Sequence, residues 1–118
     1  MKNKIQILGT EYTIEYRTHE QDLKLKKNDG YTRNSIKLIV IEDDFIDRGF
    51  ITEEDIRKYQ NKVLRHEIIH AFMYESGLDC NSRGVESWAD NEEMVDWFAI
   101  QAPKILKIFK DLKLLEEE

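Results

Sequence analysis

The chain has 118 residues and a mass of 14.1 kDa, enough for one domain, 1–118, built on a single hydrophobic core. A hydrophobic share of 41% suits a folded protein, and a charged share of 36% with one proline points to a helix-rich, well-solvated surface. The net charge of -6 and pI near 5.1 argue against nucleic-acid and anionic-membrane partners. The apolar run at 38–41 is too short to cross a bilayer, and no apolar leader follows the two early lysines, so a cytoplasmic protein is expected.

Residues 4–17 alternate apolar and polar on either side of Gly9-Thr10, with Ile5 and Ile7 before it and Tyr12, Ile14 and Tyr16 after. Two strands of a hairpin have this pattern, and they would form one side of a small sheet. Residues 18–34 are polar and charged, with a turn signal at Asn28-Asp29-Gly30, and read as a loop or a short helix. His19 within them reads more readily as a solvated bystander than as a catalytic group or ligand. Residues 35–42 hold the β-branched run of a buried strand, and Glu42-Asp43-Asp44 then turns the chain.

Thr52 followed by Glu53, Glu54 and Asp55 opens a long helix with a cap and an acidic first turn, and Gly77 closes it. Within this helix stands His66-Glu67-Ile68-Ile69-His70. Residues four apart lie one turn along the same helical face, so the two imidazoles can converge on one metal ion. Glu67, about one residue's rotation away, can reach a water at the ion's open position and take its proton. The alternative is two surface histidines and a solvated glutamate. Against it, Val63, Leu64, Ile68, Ile69, Ala71 and Phe72 make the helix apolar on several faces, and polar groups on a buried helix need partners.

A catalytic zinc usually takes three protein ligands. Cys80 is solitary and reads as incidental, so the third is expected from the segment 90–99, reached through a short polar connection at 78–85 with Gly84. On a helical wheel Met94, Val95, Phe98, Ala99 and Ala102 form the core stripe, and Glu92 flanks it while Glu93 points away. Glu92 is therefore the expected third ligand, with Glu93 and Glu86 as rivals. Asp96, one turn on, could accept a hydrogen bond from a ligating imidazole. Glu93 has a capping box with Asp90 available, and the whole acidic cluster could simply complement a helix N-terminus. Trp88 and Trp97 read as packing residues, whereas an exposed one would hint at a substrate wall. Pro103 is expected to interrupt the helical run with a kink or a new start. Ile105, Ile108, Phe109, Leu112 and Leu115 beyond it predict an amphipathic C-terminal helix that closes the core and ends in three glutamates, with an interaction helix as the lesser alternative.

His66-Glu67-x-x-His70, with Glu92, Asp96 and Phe98-Ala99 downstream, resembles a minimal gluzincin. Within that class the chain is similar to small phage and prophage proteins of the ImmA/IrrE-type metallopeptidase group. The resemblance covers roughly residues 52–103. It implies His66, His70 and Glu92 as zinc ligands, Glu67 as general base and Asp96 as partner to a ligand. It also implies an α+β zincin-like fold: a small antiparallel or mixed sheet packed on an active-site helix and a third-ligand helix, followed by the C-terminal helix. The strand at 35–42 would lie beside the cleft and take an extended peptide as a further strand. Ala71 departs from the small-residue repeat of some relatives, and the chain carries neither a helix-turn-helix nor the cysteine ribbon of SprT-like proteases.

The expected function is hydrolysis of a peptide bond in a protein or peptide substrate, with a phage or host regulator implied by the resemblance alone. Tyr74, Tyr31 and His19 are the candidates for stabilising the oxyanion. The rivals are a zinc-binding interaction protein that cleaves nothing and a metal-free interaction domain.

Overall fold

A computed structural model describes residues 2–45, 49, 52–77 and 92–115. The described residues form an α+β arrangement of a four-stranded mixed sheet and two long helices. Strands β1 (Lys2–Ile7) and β2 (Thr10–Arg17) make the expected antiparallel hairpin. Leu8 and Gly9, both at positive φ, are its two turn residues, and Thr10 already pairs with Ile7. Positive φ at both positions gives a two-residue loop the twist of its flanking strands.

The polar stretch after the hairpin holds more structure than its composition suggests. A 3₁₀ turn, Leu23–Lys26, is capped by Asp22, and it is followed by a strand the sequence does not announce, β3 (Gly30–Arg33). Strand β4 is Leu38–Glu42, three residues shorter than expected at its start, because residues 34–37 turn the chain from β3 into β4. All five β4 residues are buried. The strand order is β1-β2-β4-β3, with β2 and β4 parallel and β3 antiparallel to β4. The expected cleft-side strand is therefore interior, paired on both sides, and cannot accept another strand. The sheet edges are β1 and β3. Strand β3 is only four residues long and opens on the glycine of the Asn28-Asp29-Gly30 turn, so its two strand-favouring residues, Tyr31 and Thr32, do not stand out; its backbone groups pair with those of β4.

Helix α1 (Glu53–Glu75) lies across one face of the sheet. Its start is as expected, with Thr52 Oγ1 accepting from Asp55 N at 3.0 Å, and Gly77 follows its end at φ 86°. Val63 and Ala71 join Ile7, Tyr12, Ile14, Ile39 and Ile41 in the main core. On the other face of β4, Leu38 and Val40 pack with Leu25 and Tyr31. Gly30 is where edge strand and helix meet most closely: a Cβ there would stand 2.8 Å from Val63 Cγ1 and 3.0 Å from the Val40 carbonyl.

Helix α2 (Glu92–Asp111) is continuous, so the expected third-ligand helix and C-terminal helix are one element with Pro103 inside it. Proline lacks the N–H that would bond the Ala99 carbonyl, and Arg65 Nε of α1 donates to that oxygen at 2.6 Å instead. The helix packs on α1 through Val95 against Met73, with Ile69 and Met94 alongside. Of the expected core stripe, Val95 and Ala99 are buried, while Phe98 is 43% exposed. Beyond Pro103, Ile108, Phe109, Leu112 and Leu115 are exposed as well, so this half does not close the core. The sheet is already covered on this face by α1. Cys80, Gly84, Glu86, Trp88, the Asp90 cap, the connection 78–85 and the terminal glutamates lie outside the described residues. Among the described residues no helix is long and apolar enough to cross a membrane.

Candidate metal centre

The site is assembled where α1 and the first turn of α2 face each other. His66 and His70 project from consecutive turns of α1, their ring centroids 4.9 Å apart. Val95 and Ala99, buried against α1, set the rotation of α2 and so bring Glu92 over the two rings. His66 Nε2 lies 2.8 Å from Glu92 Oε1, and His70 Nε2 lies 3.2 Å from the same oxygen. Among the described residues, His66, His70 and Glu92 form a group whose donor atoms all fall within 4.8 Å of one another. Glu93 is exposed and takes no part in it.

The three side chains could together hold a metal ion. Tetrahedral zinc bonds of about 2.0–2.1 Å separate neighbouring ligand atoms by about 3.3 Å; the 3.2 Å contact of His70 matches that spacing, and the 2.8 Å contact of His66 is a hydrogen-bond distance. Asp96 Oδ1 lies 3.2 Å from His66 Nδ1, and a carboxylate there accepts the Nδ1 proton. With Nδ1 so engaged, Nε2 is the ring nitrogen that faces Glu92, where either a proton or a metal ion can join it to the carboxylate. Asp96 is itself held by Lys62, whose Nζ donates to the same Oδ1 at 2.9 Å. Lys62 sits one turn before His66 on α1, a spacing that was open to inspection in the sequence.

Glu67 points from α1 toward the sheet and is 7% exposed. Thr32 of β3 donates through Oγ1 to Glu67 Oε1 at 2.7 Å, with the Glu67 carbonyl at 3.2 Å from the same hydroxyl. Burial pushes the Glu67 carboxyl above the usual range, against the opposing pull of the Thr32 hydrogen bond and the two imidazoles. For Glu92 burial also pushes upward, but His70 and His66 together outweigh it and hold the group below its ordinary value. Asp96 is likewise held low, burial being outweighed by Lys62 and then His66. The neighbouring carboxyls thus separate into one pushed toward the neutral form and two kept ionised.

A cleft of ≈ 540 Å³ opens over these residues, with β3 as one wall and α1 and α2 as the other. Tyr31 lines it, but its hydroxyl donates to Asp22 Oδ2 at 2.5 Å, and burial followed by that bond pushes its pKa up to about 12. Tyr74 carries Lys37 Nζ over its ring, and His19 pairs with the fully buried Glu42. The three residues expected to compete for an oxyanion role thus have these other partners. Thr32 is the site residue sequence reasoning missed, because the strand that carries it was not legible. Comparison with protein-family models, curated proteins and solved structures finds no match for this chain.

Proposed function

We propose that the chain is a zinc-dependent metallopeptidase of the gluzincin kind, with His66, His70 and Glu92 as zinc ligands and Glu67 as general base. The observation that carries this reading is the convergence of two imidazole nitrogens, one turn apart, on the Glu92 carboxylate at 2.8 and 3.2 Å, beside a buried glutamate. Zinc held there supplies the positive charge that polarises a scissile carbonyl and makes a water acidic near neutral pH. Glu67 takes a proton from the attacking water at its carboxylate and returns it to the departing amine. A carboxyl made more basic by burial suits that task better than an ordinary glutamate. Asp96 holds the His66 tautomer with Nε2 as the ligating atom.

The substrate of this reading is a protein or peptide in extended form. Of the two edge strands, β1 and β3, β3 is the one that walls the cleft, so it rather than β4 would pair with the substrate backbone. A phage or host regulator as the target rests on the resemblance of the motifs alone.

The test is Glu67→Gln compared with wild type in zinc content and in cleavage of an unstructured protein such as casein. Loss of cleavage with zinc retained is the expected result. Cleavage unaffected by the substitution overturns the role of Glu67. Stoichiometric zinc without cleavage by the wild-type protein favours the non-hydrolytic zinc-binding alternative.

A further inference from the structure

We propose that Thr32 is a positioning residue for Glu67, so that the sheet edge, and not α1 alone, sets where the base points; this rests on the metallopeptidase reading above. Helix α1 fixes the Glu67 Cα relative to the two imidazoles, but three side-chain torsions separate that atom from the carboxylate. The hydroxyl of Thr32, from a different element, lies 2.7 Å from Oε1 and removes that freedom. It has one proton and two acceptors in reach, the carboxyl oxygen at 2.7 Å and the Glu67 carbonyl at 3.2 Å, and the shorter contact takes it.

Threonine suits the task better than its neighbours in size. Its β-branch restricts the first side-chain torsion, and pairing of Thr32 with Ile39 fixes the backbone from which the hydroxyl projects. Oε1 being engaged, Oε2 is the oxygen assigned to the proton of the attacking water. The strand that would receive the substrate backbone thus also holds the base. The base and the scissile bond are thus both referred to β3, and displacement by a single ångström at such a contact can cost about a hundredfold in rate.

The experiment compares Thr32→Val, which keeps the shape and removes the hydroxyl, with Thr32→Ser, which keeps the hydroxyl. Each is read in zinc affinity, in casein cleavage resolved into kcat and KM, and in the visible spectrum of the cobalt-substituted protein. The expected result for Thr32→Val is wild-type zinc affinity, unchanged KM and a fall in kcat of about 10- to 100-fold, with Thr32→Ser restoring turnover. A merely structural role would move zinc affinity and KM together and would not be rescued selectively by serine. Wild-type kcat in Thr32→Val overturns the proposal. If wild-type protein cleaves no faster than Glu67→Gln, the peptidase reading fails, and the cobalt spectrum decides the positioning claim separately. Bands shifted in Thr32→Val but not in Thr32→Ser sustain it, and bands unchanged in both overturn it. Should Thr32→Val not fold, Thr32→Ala carries the same comparison.

Discussion

Arg65 donates its Nε proton to the carbonyl of Ala99 at 2.6 Å, the one backbone acceptor in α2 that Pro103, four residues on, leaves without its own helical donor. A side chain of the motif helix thereby repairs the defect in the helix that delivers Glu92. Arg65→Met is expected to destabilise the protein by about 1–3 kcal/mol, the cost of orphaning a part-buried carbonyl. Pro103→Ala restores the backbone donor and is expected to stabilise, by up to about 3 kcal/mol on helix propensity. In the Pro103→Ala background the Arg65→Met penalty should shrink. A double-mutant cycle in urea denaturation measures the difference, and additive effects would show that the two residues are not coupled.

Zinc is expected to raise the thermal midpoint of the purified protein and a chelator to lower it. Saturation at a hundred times Kd adds about 2.7 kcal/mol to stability. Glu92→Gln should abolish the zinc-dependent shift in a thermal scan, while Glu93→Gln retains it. The reverse pattern would assign the ligand to the wrong face of α2.

The carboxylate of Glu75 at the end of α1 accepts from Tyr12 at 2.7 Å, Thr10 at 3.1 Å and Lys37 at 2.8 Å. The Lys37 contact, with those of Tyr12 and Thr10, holds its pKa below the ordinary 4.5 against the effect of burial. A depressed folded pKa means stability present above the unfolded value and lost as pH falls through the folded one. Glu75→Gln should therefore flatten the decline in stability below about pH 4.5, measured by denaturant titration from pH 7 down to pH 3.

At Gly30 a methyl group would collide with Val63 and with the backbone of β4, which cannot yield. Gly30→Ala is expected to cost about 1–3 kcal/mol by overpacking. Adding Val63→Ala relieves the 2.8 Å contact but leaves the carbonyl at 3.0 Å, so recovery in the double variant should be partial.

Much was legible in the residues themselves. The hairpin follows from alternation, the bounds of α1 from Thr52 and Gly77, and the pairing of His66 with His70 from a spacing close to one helical turn. The choice of Glu92 over Glu93 came from the wheel of α2, and the geometry brings Glu92 to the imidazoles. These are local properties, because period, cap and side-chain direction depend on residues within about a turn of one another.

Only the tertiary structure decided what depends on distant partners. Strand β3 exists because β4 needs a second neighbour, and Thr32 reaches Glu67 because that strand lies beneath α1. Pro103 stays inside a helix because Arg65, 38 positions earlier, supplies the missing hydrogen bond. The apolar stripe from Ile108 to Leu115 has the same periodicity as a core helix and is nevertheless exposed. Periodicity states which side of a helix is apolar, and only the position of the rest of the chain states whether anything lies against it.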